Sequence, residues 1–583
     1  MAHDNRTTDR SHRRGSVLIL AVISIVVLTT LGMGLTTLGY HVRRNAIQIK
    51  TEAAALLAAE AGYERAVFWM GQQQDMLSAL ESNAQGSTGT LAFSESRCGY
   101  AVSLHTFIGS RPVYRIISNG YSGAFSRTVD CLVIQAVSGW DMGKCRIPTG
   151  PTTTSPVNFG TGEIIDMPLA INKLNDDPDE RDIYISGAPT FRQPVAMAES
   201  RRSSSGTDKY RTVMPLFTRG IYFDQPQSRI LDEPSMAAKI SRFRSSTKSQ
   251  FRYTPVASAA VTNPIPTVQL EFYVDSQDVG KVRVTNNCTV RGFQQSADNR
   301  TYDYRITPGS NGERYERYSI YAYHLASAAV PGNGDRATHS LTDTYVSQAL
   351  GAVQSEPGGQ IFVDGNVVIG GDMTNHNGDQ LIKGKITVVA TGNIWVADSI
   401  RLDGAHDLDG TPSASNPNIC GLIAQGVIKV VDPGMSDYSY VDNQPVVPRL
   451  FSYEPIGVAD FANSNSSTRH LRHLPNPVIV EAAMTIGGGG WGAENVQRRA
   501  GWTTYGGRKE WPGPVDNLIV RGALVEAIRG VVGIIGADGF NKQYYLDERL
   551  IEGILPGDIW LRGKYIPAPA GWKDYRAVAI QVP

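Results

Sequence analysis

Hydrophobic and polar positions follow three different patterns along this chain. From Ser16 to Leu38 (SVLILAVISIVVLTTLGMGLTTL) 23 consecutive residues carry no charge. As a helix this run rises about 34 Å, enough to cross a hydrocarbon core of ~30 Å with some tilt. A cleaved signal peptide has a shorter apolar region, about 7–15 residues, that ends in small residues. Here Gly32, Gly34 and Gly39 are interspersed with bulky side chains, so the pattern predicts a retained membrane helix over 16–42. Residues 46–70 (AIQIKTEAAALLAAEAGYERAVFWM) then use strong helix formers, with a partly amphipathic stripe through Ile49, Ala53, Leu56, Leu57, Ala61, Glu64, Val67 and Phe68. One continuous helix over 16–80 is expected, about 95 Å long by the standard rise.

After the helix the period changes to two. Residues 99–136 alternate apolar and polar positions between glycine-containing turns, which predicts antiparallel strands at 100–107, 113–120 and 126–135. A Pro/Thr/Gly-rich stretch at 146–160 marks a boundary, and short strand-like pieces follow at 182–187, 268–274 and 281–293. The basic, serine-rich run ESRRSSSGTDKYR at 199–211 reads as a solvated loop. Beyond residue 351 the pattern becomes short, nearly continuous Val/Ile runs broken by Gly, Asn or Asp, at 360–371, 385–402, 420–431, 476–488 and 517–536. Buried parallel strands look like this, and a short, imperfect β-solenoid is favoured over a β-sandwich. The expected organisation is α+β, with a basic leader at 1–15 and a transmembrane helix at 16–42. A helix extension with a small antiparallel sheet occupies 43–145, a β-rich middle region 146–350, and a C-terminal β-rich domain 351–583.

Composition and charge narrow the setting. The 55 basic and 55 acidic residues cancel, so no global field draws the chain to nucleic acid, and no nucleic-acid partner is expected. Arg6, Arg10, Arg13 and Arg14 precede the apolar run and favour a cytoplasmic amino terminus, with everything beyond Arg43 outside. The lipid bilayer is therefore the first expected partner. Five cysteines in 583 residues cannot form a dense disulfide framework. Cys98 and Cys131 flank the predicted small sheet and form a candidate bridge in an oxidising compartment, with free buried thiols as the alternative.

The junction RRG-S at 13–16, the apolar run directly after Gly15 and the block AAEAGYERA at 58–66 resemble type IV pilins and pseudopilins, in particular minor pilins of the PilX or pseudopilin K kind. The block YRIISNG with SRTV at 126–129 is similar to members of the same family. The resemblance implies cleavage by prepilin peptidase between Gly15 and Ser16, methylation of the new terminus, and other pilin-like subunits as partners. Most pilins carry Glu at the fifth mature position, where it pairs with a neighbouring subunit's amino terminus; this chain has Leu20 there. Pseudopilins of the K kind likewise lack the carboxylate and are read as tip or initiating subunits. VDGNV, ITVVATGNIWVAD, GLIAQG, IVRGALVEAIRGVVG and GFNKQYYLDERL also resemble the C-terminal region of large pilin-like exported proteins.

Signatures of chemistry are sparse. HExxH, GxxxxGK[ST] and GxSxG do not occur. GGGGWG at 487–492 matches GxGxxG in letters but has no amphipathic helix behind it, and reads as a structural turn. His470 and His473 lack a third ligand at a family-like spacing. The acidic clusters NDDPDERD at 175–182 and DGAHDLDG at 403–410 offer oxygen ligands of the kind calcium takes, with exposed polar turns as the favoured reading. Asp364, Asp372, Asp398 and Asp403 fall near strand ends, where polar strand caps are the favoured reading; a polysaccharide-active solenoid would need such carboxylates to converge on one face. No cofactor and no catalytic residue is expected, and metal binding is left open. The expected role is structural, as a minor, tip or initiating subunit of a type IV pilus or a type II secretion-like pseudopilus. A stand-alone membrane-anchored adhesion protein and a carbohydrate-active solenoid enzyme are the alternatives.

Overall fold

A computed structural model of the chain describes residues 11–73, 76–82, 86–93, 95–108, 111–135, 139–143, 146–148, 154–173, 177–225, 233–255, 264–291, 304–309, 312–317, 336–346, 349–350, 353–354, 358–370, 379–430, 435–441, 444–446, 469–471, 477–493, 516–534, 538–552 and 565–576. The chain divides into two compact units, each built around its own core. The first comprises Met1–Leu104, Tyr114–Val133 and Pro567–Pro583, and the second His105–Val113 and Ile134–Ile566.

The first unit is organised by α1, Ser11–Gln72. The threonines within the apolar run are satisfied locally. The hydroxyls of Thr29, Thr30 and Thr37 donate to the carbonyls of Ile25, Val26 and Met33, four residues back, at 2.6, 2.7 and 2.8 Å. Further along, Ala55, Ala58, Ala59, Tyr63, Ala66 and Met70 recur at three- and four-residue spacing and are buried. Small residues on that face let the helix axis approach the sheet closely. The helix stops earlier than the composition predicts: α1 ends at Gln72, and a separate short helix, α2, covers Met76–Glu81. Gly71 weakens the last turn, and the amide of Gln73 bonds to the carbonyl of Met70, three residues back, a tightening typical of a helix end.

Four strands follow: β1 (Thr88–Ala92), β2 (Ser96–Ile108), β3 (Arg111–Ser122) and β4 (Phe125–Gln135). The three expected strands are present and longer than predicted, and β1 is an addition that pairs antiparallel with β2. Gly123, at φ 54°, turns β3 into β4. Arg115 on β3 makes a two-pronged ion pair to Asp130 on β4, at 2.8 and 2.6 Å. The sheet has a fifth strand, Tyr565–Arg576, which lies beside β4. It follows the long segment Ile134–Ile566 of the second unit in sequence, so that segment is inserted between two neighbouring strands of the first unit's sheet.

The second unit is built from parallel ladders. Gly358–Val363, Lys385–Ala390, Ile419–Ala424, Val478–Ile486 and Asp516–Glu526 stack in parallel register. The next rung is not later in the chain but earlier: Trp140–Met142 pairs with Leu524–Glu526, and Leu169–Ile171, Val195–Met197 and Ile221–Tyr222 continue from it. A second parallel ladder joins Pro264–Val274, Asn366–Ile369, Ile394–Val396, Ile428–Val430 and Trp491–Ala493. A third runs through Asp516–Gly522, Phe540–Leu546, Ile164–Asp166 and Thr190–Phe191. The expected boundary at 350/351 is therefore absent, because segments from both sides of it share one ladder. Local composition cannot reveal such a join, since the pairing partners are hundreds of residues apart.

The strand runs are apolar on both faces because both are covered. A helix that the sequence reading missed, α3 (Glu233–Ser246), buries Met236, Ile240 and Phe243 at i, i+4 and i+7. Outward-facing Phe362 and Val389 of the ladder are buried as well, and the hydroxyls of Ser246 and Thr247 donate to Gln360 Oε1 at 2.9 and 3.2 Å.

The close helix–sheet approach in the first unit is testable. A Cβ on Gly120 of β3 would lie 2.0 Å from the Ala55 carbonyl oxygen and 2.4 Å from the Ala59 amide, both fixed backbone atoms. Gly120→Ala is expected to destabilise this unit by about 2–3 kcal/mol, the upper range for overpacking. Gly99→Ala, whose Cβ would meet nothing nearer than 3.9 Å, is the control expected to change little. Urea unfolding followed by near-UV circular dichroism checks the pair.

Candidate functional surfaces and buried polar clusters

Among the described residues, exposed large apolar side chains are concentrated in the first half of α1. Val17, Leu18, Ile19, Leu20 and the large apolar residues onward to Val42 are exposed, Leu20 at 67%. None of the most apolar stretch of this helix is buried. Apolar surface of this extent is not covered by any of the described residues and suits a lipid or helical surrounding. Gly15 and Ser16 lie within α1, with side chains outside the described residues, as are residues 1–10 of the basic leader. On the second half of α1 the stripe is two-sided: Ile47, Ile49, Leu57 and Phe68 are exposed, opposite the alanine face that meets the sheet.

The candidate bridge between Cys98 and Cys131 is not formed. Both are free, buried thiols. Burial pushes the Cys131 thiol up to about 11, with the nearby Asp130 charge adding and a hydrogen bond from Tyr63 opposing. Cys98 is raised by burial too. Its Sγ lies against the helix beside Gly62.

The candidate acids of the second unit are dispersed among separate partners. Asp364 faces Arg244 at 3.6 Å and accepts a hydrogen bond from Thr391 at 3.2 Å. Asp403 pairs with Lys383 at 3.4 Å, and Asp372 lies outside the described residues. Among the described residues no group of three or more His, Cys, Asp and Glu side chains could hold a metal ion. Asp179 of the first acidic run accepts from the hydroxyl and amide of Ser204, while 174–176 lie outside the described residues. His470 is in a short strand, with its side chain outside the described residues, as is the whole of His473. GGGGWG turns the chain between Val478–Ile486 and Trp491–Ala493, with Gly490 packed against the backbone of Ile528 and Gly530. The serine-rich run is solvated only in its middle. At its ends Glu199 and Lys209 form a buried ion pair at 2.5 Å, and buried Tyr210 donates to Glu199.

Sequence reasoning missed the buried charges of the ladders. Glu526, Arg529, Trp140, Trp491 and Tyr544 form one fully enclosed group. Glu526 accepts from Trp140 Nε1 at 2.9 Å and from the Trp491 amide at 2.8 Å, and Arg529 lies 3.3 Å from both of its oxygens. Arg529 also donates to the Trp491 carbonyl at 2.8 Å and sits over the Trp140 ring at 4.9 Å. A second group centres on Glu481, which accepts from Arg521 at 3.0 Å and the Leu402 amide at 2.7 Å. The ring of His406, from the DGAHDLDG loop, bridges this carboxylate and the Gly404 carbonyl, each at 3.0 Å. That loop is thus pinned down rather than a free polar turn. The available signal was Glu526 and Arg529 standing three apart inside an otherwise apolar run, where lone charges are costly and therefore paired.

One carboxyl of the candidate acids is perturbed. Asp398 is pushed up to about 6, chiefly by burial, with hydrogen bonds from the Ser399 amide and Gln380 opposing and the charge of Asp379 adding. A folded value above the ordinary carboxylate value means that the native state binds this proton more tightly. Its stabilising contribution is complete below about pH 4 and is lost as pH rises through about 6. Asp398→Asn is expected to raise stability at pH 7 by about 1–3 kcal/mol and to flatten the pH dependence between 4 and 7. Thermal melts of both proteins across that range provide the check.

No known protein-family profile matches the chain. No curated protein matches it either. Among solved structures, the crystal structure of the competence-associated pilin ComZ from Thermus thermophilus aligns over 90% of this chain and 98% of that one, at 10% identity and a TM-score of 0.24. A superposition that loose carries no inference about fold or function.

Proposed function

We propose that this chain is a membrane-anchored, pilin-like structural subunit of the minor, tip or initiating kind, in a type IV pilus or a type II secretion-like pseudopilus. One observation carries the reading. In a single 62-residue helix the large apolar residues from Val17 to Val42 are exposed, and the second half docks a small sheet through alanines. Such a helix can sit in a bilayer and later among other helices without rebuilding the sheet attached to it. The junction RRG-S at its start supports processing by prepilin peptidase between Gly15 and Ser16. The arginines ahead of the span support a cytoplasmic amino terminus and an exported head.

Leu20 supports a tip or priming position. A repeating shaft buries a carboxylate from each subunit against a neighbour's terminus, and Leu20 offers none. The inserted unit is the head, and its parallel ladders support a short solenoid over a sandwich, whose sheets are antiparallel.

Mass spectrometry of the native amino terminus tests the processing. The expected species begins with methylated Ser16 and is replaced by the uncut chain when prepilin peptidase is deleted. An unchanged mass would overturn the pilin reading and leave a signal-anchored surface protein. Incorporation tests the position: native protein is expected at filament ends and Leu20→Glu along their length. Absence of both forms from filaments would sink the tip assignment.

A further inference from the structure

We infer that the strand Tyr565–Arg576 is a closing latch, which completes the membrane-proximal unit only after the whole inserted head has been laid down. The first unit is assembled from chain segments on both sides of the second. Its sheet runs β1-β2-β3-β4 and then Tyr565–Arg576. Without that strand, β4 is a bare edge, with its amides and carbonyls open to water or to another chain.

Specific contacts hold the latch. The Trp572 ring stands edge-on to the Tyr63 ring of α1, with centroids 4.9 Å apart and planes at 80°. Arg127 of β4 pairs with Asp574 at 2.9 Å. Gly571 approaches the Leu132 carbonyl so closely that a Cβ there would lie 2.7 Å from its oxygen. Ala568 is buried. Tyr63 is itself buried and hydrogen-bonded to Cys131, so the latch strand, α1 and β4 meet at one point. Trp572 at 40% exposure is the outer layer over that point.

The order of events follows from chain connectivity. A chain held by α1 with its amino terminus in the cytoplasm exports β1–β4 early, then the segment Ile134–Ile566, and only afterwards the latch. A chain stalled or cut within the head retains α1 but leaves its sheet unclosed. The helix platform that would meet other subunits is thus complete only when the head is. This cellular meaning rests on the proposed function, but the closure itself does not.

Cys131 reports closure, and Cys420, a buried free thiol of the inserted unit, reports the integrity of the head. The test compares full chain in detergent micelles with Trp572→Ala and with a chain terminated after Lys564, using iodoacetamide at pH 8 and site-resolved mass spectrometry. Removing the strand is expected to speed Cys131 modification by about tenfold or more, as local opening replaces a protected state. Trp572→Ala is expected to give a smaller rise in the full-length chain, and Cys420 is expected to stay protected in all three. Unchanged protection of Cys131 in both variants would overturn the latch. So would modification of Cys420 in step with Cys131 in Trp572→Ala, because that is general unfolding. These outcomes do not depend on processing at Gly15, so the latch and the pilin reading fail separately.

Discussion

The larger unit depends on one repeated contact, the stacking of inward side chains along parallel ladders. In register, Ile361, Val388, Leu422, Met484, Leu524, Trp140, Leu169, Val195 and Ile221 form a single buried column. Strands in a ladder are about 4.8 Å apart, so each member rests directly on the next. Burying each such side chain contributes roughly 1.5–3 kcal/mol, which makes the column a major part of the core. Its order ignores chain order: after Leu524 comes Trp140. Backbone pairing and apolar contact require only parallel edges and matching faces, and these are indifferent to how the chain reaches them.

The buried charges sit where that freedom could be misused. Trp140 is the residue at which the early segment joins the late one, and its ring nitrogen bonds Glu526 while Arg529 covers its face. Trp491 and Tyr544 complete the group through a hydrogen bond at 2.8 Å. An apolar contact alone would tolerate a strand slipped along the ladder. A carboxylate and a guanidinium in a dry interior do not, because a slip leaves buried charge without a partner. The cluster therefore specifies which rung Trp140–Met142 occupies.

The smaller unit answers to a different constraint, the closeness of a helix to a sheet. Ala55, Ala58, Ala59, Gly62 and Ala66 put little bulk on one side of α1, and Gly120 removes the side chain from the facing strand. That packing leaves the opposite helix face and the whole apolar half outside the fold, where they are available to lipid or to other helices. The insertion leaves this arrangement intact, since it departs from β4 and the chain returns as the neighbouring strand.

Local pattern alone determined much of this protein. The uncharged run from Ser16, the alanine-rich continuation, β2 to β4 and the Val/Ile strands of the head are all legible, because each is a property of adjacent residues. The end of α1 near Gly71 and the helix α3 were also within reach, the latter through Met236, Ile240 and Phe243 at helical spacing, though the basic and serine-rich residues between them obscured it. Tertiary structure alone decided which segments are neighbours. The pairing of Trp140 with Leu524, the return of Tyr565–Arg576 to β4 and the pinning of His406 to Glu481 all join residues far apart in the chain. Periodicity records what each residue prefers to face, but it carries no address for the strand, charge or ring that it will face.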